Sequence, residues 1–96
     1  MRFFLADAGK LCCDHSSEVV NKDQCRHSIG AIKGEYPDAL DNIDYNHEWH
    51  KRPNGCFLHL GNKNVHWNSH GDGSRNNDDR QVCEAKDGKG IENNVK

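Results

Sequence analysis

The stretch Cys56-Phe-Leu-His-Leu60, then Gly61-Asn62, then Asn64-Val-His-Trp-Asn68 carries the strongest sheet signal in the chain. Two runs of apolar and β-favouring residues flank a Gly-Asn turn, which predicts a hairpin at about 56–68. Side chains alternate across a strand, so Cys56, Leu58 and Leu60 share one face, and Val65 and Trp67 complete it from the partner strand. His59 and His66 fall on the opposite face and are expected to look to solvent. Pro53-Asn-Gly55 is the turn that leads in. On the far side, Ser69 to Arg80 is rich in Gly, Asn and Asp and reads as an exposed loop, after which Gln81-Val-Cys-Glu84 returns as a short third strand.

Upstream of the hairpin, Asn21-Lys-Asp-Gln24 has the form of a capping box, so a helix is expected over about 21–33. Cys25, Ile29 and Ile32 sit at i, i+4 and i+7, one face of that helix. Gly34 is the expected stop, with Pro37 just beyond it. Residues 35–54 are polar and irregular and read as a loop with room for one turn of helix, anchored at Leu40, Ile43, Tyr45 and Trp49. The apolar start Phe3-Phe-Leu5 reads as a strand or arm ending in a cross-linked turn at Leu11-Cys-Cys-Asp-His15. Residues 85–96 have little to bury and are expected to form a flexible C-terminal tail, leaving 1–84 as a single cysteine-rich domain.

Composition explains why cross-links are needed. The chain has 96 residues, of which 33% are hydrophobic, and its mean hydropathy is −1.04. Globular chains usually hold about 45–50% apolar residues, so here burial must be concentrated in a few large side chains. Trp49, Trp67, Phe57, Leu58, Leu60, Ile29, Ile32 and Ile43 are the candidates. Small domains with so thin a core are commonly held by disulfides or metal, and five cysteines are available. Thirteen Lys and Arg against 15 Asp and Glu, with no long run of either sign, argue against a nucleic-acid grip. No apolar run approaches the ~20 residues of a membrane span, and Phe3-Phe-Leu-Ala6 is too short for the core of a signal peptide. The chain has no Asn-x-Ser/Thr sequon.

The order Pro53-Asn-Gly-Cys56, Val65-His-Trp-Asn68, Gly73-Ser74 and Val82-Cys83 resembles a small cysteine-rich domain of algae and other protists. That family carries Pro-x-Gly-Cys, Val-Tyr-Phe-Asn, a Gly- and Ser-rich loop and a closing Cys. Cys13 and Cys25 also match its upstream cysteines, and the likeness covers about Cys12 to Glu84. Two features depart from it: His66 and Trp67 stand where Tyr and Phe are usual, and Cys12-Cys13 makes the cysteine total odd. The resemblance implies an extracellular or lumenal module without a catalytic role, a binding or structural unit.

Four cysteines can pair in three ways, which sequence does not separate. The expected framework uses Cys13, Cys25, Cys56 and Cys83 and leaves Cys12 free or intermolecular. Cys56 with Cys83 is the favoured pair, because the hairpin and the returning strand would bring them together, with Cys12 or Cys13 joined to Cys25. The alternative is a zinc-type site from Cys12, Cys13, His15, Cys25 and His27, against which stands the lack of a Cys-x2-Cys spacing. Histidines are dense from His47 to His70. They read mainly as polar outward positions, with a metal-dependent hydrolase or nuclease using His66, His70 and Asp72 as a weaker alternative. Asp72, Ser74, Asn76 and Asp78 alternate like calcium ligands, but Asn77 stands where the loop needs Gly. Burial has the stronger claim on Trp49 and Trp67, which together with His59 and His66 form the candidate binding surface. The expectation is thus a disulfide-stabilised α+β domain, one helix on a short antiparallel sheet. It would act in an oxidising compartment as a non-catalytic binding or accessory module, with a protein or glycan partner, no nucleic acid, no membrane span and no cofactor.

Overall fold

The computed structural model describes residues 2–12, 16–19, 21–45, 47–70 and 73–85. The elements run β1 (Phe3–Leu5), β2 (Ser16–Glu18), α1 (Lys22–His27), α2 (Ile29–Glu35), β3 (Leu40–Asp41), β4 (Gly55–His59), β5 (Asn64–Asn68) and β6 (Asp79–Ala85). The architecture is α+β, with the helical arm packed on a mixed sheet of order β1-β6-β4-β5-β3. All pairings are antiparallel except β3 with β5. β1 and β2 both pair with β6 over residues 83–84, so they occupy its two opposite edges, and β2 extends the edge that β4 begins.

The hairpin forms where the alternation places it. Cys56 stands opposite Trp67 and Leu58 opposite Val65. Cys56, Leu58 and Val65 are buried in the core with Val82, Ile32, Cys25, Val19, Ala39 and Ile43, while Trp67 and Leu60 pack against it. The connection is longer than a Gly-Asn turn: Lys63 adopts φ 62 and its N–H donates to the His59 carbonyl at 2.8 Å. Gly55 enters the hairpin at φ 77, where a Cβ would also come within 3.1 Å of the Val19 carbonyl oxygen, so only glycine fits without strain.

The helix starts at the predicted cap, where the Asn21 side chain accepts from the Gln24 N–H at 2.8 Å. The reciprocal half of the box is absent, because Gln24 Oε1 is buried without a partner among the described residues. The arm comes in two pieces. The Ser28 hydroxyl donates to the Cys25 carbonyl at 2.6 Å and competes with the main-chain ladder there. Gly34 does not end it: α2 runs to Glu35, and Tyr36, just before Pro37, closes the last turn onto Ile32. A strand absent from the sequence reading, β3, interrupts the loop expected after the helix. Ile43 is fully buried, whereas Leu40 and Tyr45 are exposed and anchor nothing in the core.

Two disulfides staple this frame, Cys25–Cys56 and Cys12–Cys83, with Cα atoms 5.5 and 5.7 Å apart. The expected Cys56–Cys83 pair is overturned, and so is the assignment of Cys12 as the odd thiol. The reason is strand parity. Leu58 stands opposite Arg80, and continuing that register puts Cys56 opposite Val82 and turns Cys83 to the other face. Cys56 meets α1 on the helix face, and Cys83 meets the N-terminal arm on the reverse. Cys12 and Cys25 are therefore each bonded elsewhere, which takes both out of the zinc-type set. His27 is exposed at the end of α1, and Cys13 and His15 lie outside the described residues; of the tail expected over 85–96, Ala85 belongs to β6 and 86–96 lie outside the described residues. No helix among the described residues is long and apolar enough to cross a membrane.

Candidate functional site

The reverse face of the sheet is the informative one. By alternation it carries Phe57 and His59 from β4, His66 and Asn68 from β5, and Asp79, Gln81 and Cys83 from β6. His59 and His66 are expected to look to solvent there, yet His66 is buried along with Phe57, Asn68, Asp79 and Gln81, and His59 is half-buried. The segment from Trp49 to Asn54 folds across them, and polar side chains hold it there.

Asn68 is the main clamp. Its Oδ1 accepts from the Trp49 and His70 N–H groups, and its Nδ2 donates to the carbonyls of Trp49, Arg52 and Pro53. One buried amide thus imitates a strand neighbour for a loop that has none. Gln81 donates to the Asn54 carbonyl and accepts from the Cys12 N–H, tying the same loop to the N-terminal arm. From outside, Ser74 N–H donates to the Arg52 carbonyl and Asn76 Nδ2 to that of Lys51. Asn76 Oδ1 accepts from the Asp78 N–H. The Asn76 side chain, one of the alternating oxygen donors of the 72–78 segment, is thus committed to loop packing, and Asp72 lies outside the described residues.

Beside the clamp sits a buried ion pair. Asp79 is fully buried and takes both of its contacts with Arg52 from Nη1, at 2.9 and 2.8 Å. His59 Nδ1 lies 2.9 Å from the same carboxylate, and it therefore donates to Asp79 rather than to the Arg52 nitrogen 3.3 Å away. Its Nε2 faces Gly61, where an added Cβ would stand 3.0 Å off and crowd the ring.

Trp49, Arg52, Phe57, His59, Asn62 and His66 line a shallow cleft of about 210 Å³. Trp49 is half-buried and meets Phe57 edge-on, with centroids 5.5 Å apart at 88°. It also contacts His66 at 5.0 Å and His47 at 4.6 Å. Tyr45 stacks on His47 at 5.8 Å and 12°, so exposed rings continue the cleft wall outward. His66 is 7% exposed, and its Nδ1 is buried without a hydrogen-bond partner among the described residues. Burial, helped by His59 and Arg52 and opposed by Asp79 and by a hydrogen bond to the Asn42 backbone, holds the imidazole below its ordinary value.

Three of the four residues expected at a binding surface, Trp49, His59 and His66, therefore meet at one place. Trp67 does not join them, because register puts it on the core face. Of the hydrolase set, His66 lies in the cleft, the His70 ring packs against that of His50 at 4.0 Å and 46°, and Asp72 lies outside the described residues. Arg52, Asn62, Asn68 and Asp79 were not singled out from sequence. The signal for Asn68 was available in the alternation, which sets it beside His66 on the face opposite Val65 and Trp67, whereas Asp79 fell in a stretch that reads as loop and belongs to β6. Comparisons with protein-family models, with curated proteins and with solved structures return no match.

Proposed function

We propose that this chain is a non-catalytic binding or accessory module of an extracellular or lumenal compartment, with the Trp49–His66 cleft as its recognition site. The observation that carries this reading is the row of aromatic and imidazole rings, Tyr45, His47, Trp49 and His66, presented at the mouth of a rigidly clamped cleft. Partly exposed rings of this kind supply contact area at low entropic cost, and polar groups around them fix orientation. Two disulfides in so thin a core suit an oxidising compartment, and the ordered likeness to the cysteine-rich protist domain points the same way. Asp79 and His59 have the form of a carboxylate-oriented base. Yet the carboxylate is neutralised by Arg52 and His59 Nε2 faces a glycine rather than a hydroxyl or thiol, so binding is the better use of the site.

The test is a heteronuclear NMR titration of the oxidised full chain with two libraries, one of oligosaccharides and one of peptides. Binding shifts centred on Trp49, Arg52, His59 and His66, with the bound compound recovered unchanged, are the expected result. Shifts elsewhere, or chemical conversion of a bound compound, would overturn the reading.

A further inference from the structure

We infer that the cleft takes one neutral, all-equatorial pyranose ring of a glycan, a β-glucosyl or β-N-acetylglucosaminyl residue, laid against Trp49. This inference rests on the binding-site reading above and narrows it to one ligand class. Three features of the cleft lead to it.

The first is size. About 210 Å³ falls below the usual range for drug-sized ligands and suits a single small ring. The second is charge. The guanidinium in the cleft is matched by the buried Asp79 carboxylate beside it, so the pair presents no net charge to bind a phosphate, a carboxylate or an ammonium. The third is the arrangement of hydrogen-bonding groups around an aromatic ring. Arg52 engages Asp79 through Nη1 alone, and among the described residues Nε and Nη2 make no hydrogen bond. Asn62 uses Oδ1 for the Asn64 N–H, and its amide Nδ2 has no partner among them. His66 adds a buried, unpartnered Nδ1 at the edge of the same space. Planar donors beside a half-exposed indole match a ring that offers hydroxyls at its rim and C–H groups on its face. An all-equatorial pyranose has the flattest C–H faces, because every hydroxyl lies in the ring's mean plane. A peptide side chain would use the indole but leave the donors on two sides unmatched, and such unmet groups penalise the wrong ligand.

The experiment uses the oxidised full chain with cellotriose, chitotriose, mannotriose and a phosphorylated glucose as probes, followed by tryptophan fluorescence and NMR. Cellotriose or chitotriose is expected to bind saturably with a dissociation constant on the order of 1 mM or somewhat tighter, as the few atoms of one ring allow. Trp49→Ala should weaken binding about tenfold, and Trp49→Phe, which keeps a stacking ring and the fold, should lose less. Trp67→Phe, on the other face, should bind as the parent does. The inference fails if the phosphorylated sugar binds better than the neutral ones, or if Trp49→Ala binds as tightly as Trp67→Phe. If no glycan binds while peptides perturb Trp49 and His66, the pyranose assignment falls and the binding-site reading stands. If neither class reaches the cleft, both fall.

Discussion

Asp79 is the residue on which the site's geometry turns. It is the fully buried anion that fixes both Arg52 and His59, at 2.8–2.9 Å. Asp79→Asn keeps the shape but leaves the guanidinium without its countercharge, so the variant should lose about 2–3 kcal/mol of stability. Urea unfolding, with the midpoint shifted and the slope unchanged, is the check. His66 makes a different prediction, because its folded value lies below the ordinary 6.5 through burial, with His59 and Arg52 adding to it. Above pH 6.5 the ring is neutral in both states and adds no pH dependence. Below it the unfolded chain takes up the proton first, so stability falls with pH until the lowered folded value is passed. His66→Gln should therefore flatten the stability curve relative to the parent between those two values. Parallel denaturation series from pH 7.5 to 4.5 read the difference directly, and curves that stay parallel would remove His66 as the source.

At the scale of elements, the sheet sorts side chains by parity and the disulfides follow. Cys25–Cys56 joins α1 to β4 on the helix face across 31 residues, and Cys12–Cys83 joins the N-terminal arm to β6 on the other across 71. In the chain-entropy model these loops contribute about 3.7 and 4.4 kcal/mol, so each is comparable with a large share of a small domain's stability. Replacing Cys25 and Cys56 together by Ser, or Cys12 and Cys83 together by Ser, should each lower the unfolding free energy by about 3–4 kcal/mol. The first pair should cost more in practice, because both its members are buried in the core. Calorimetry on the two double variants orders them, and a larger loss from the Cys12–Cys83 pair would contradict this. The helix, the hairpin and β6 were legible because each is specified by local spacing. β3 was not, because two exposed residues paired parallel to β5 have no period to read.

At the scale of the whole molecule, the described residues form two unequal cores. One is apolar, between the helices and the sheet. The other is a polar layer between the reverse face and the Trp49–Asn54 segment, closed by Asn68, Gln81 and the Arg52–Asp79 pair. Arg80 ties the frame together from β6, donating to the carbonyls of Leu5 and Ala6 and to Glu35 and the Tyr36 hydroxyl. Burial works against its charge, but the bonds to Glu35 and Tyr36 outweigh that and hold it firmly protonated. The amino-acid sequence by itself determined the α+β class, the helix face of Cys25, Ile29 and Ile32, the hairpin and the apolar set it buries. Each follows from period and turn chemistry within a dozen residues. Only the tertiary structure decided which cysteines meet, that Trp49 faces the cleft, and that His66 is covered. Those depend on strand register and on a loop without a period of its own, held down by side chains far from it in sequence.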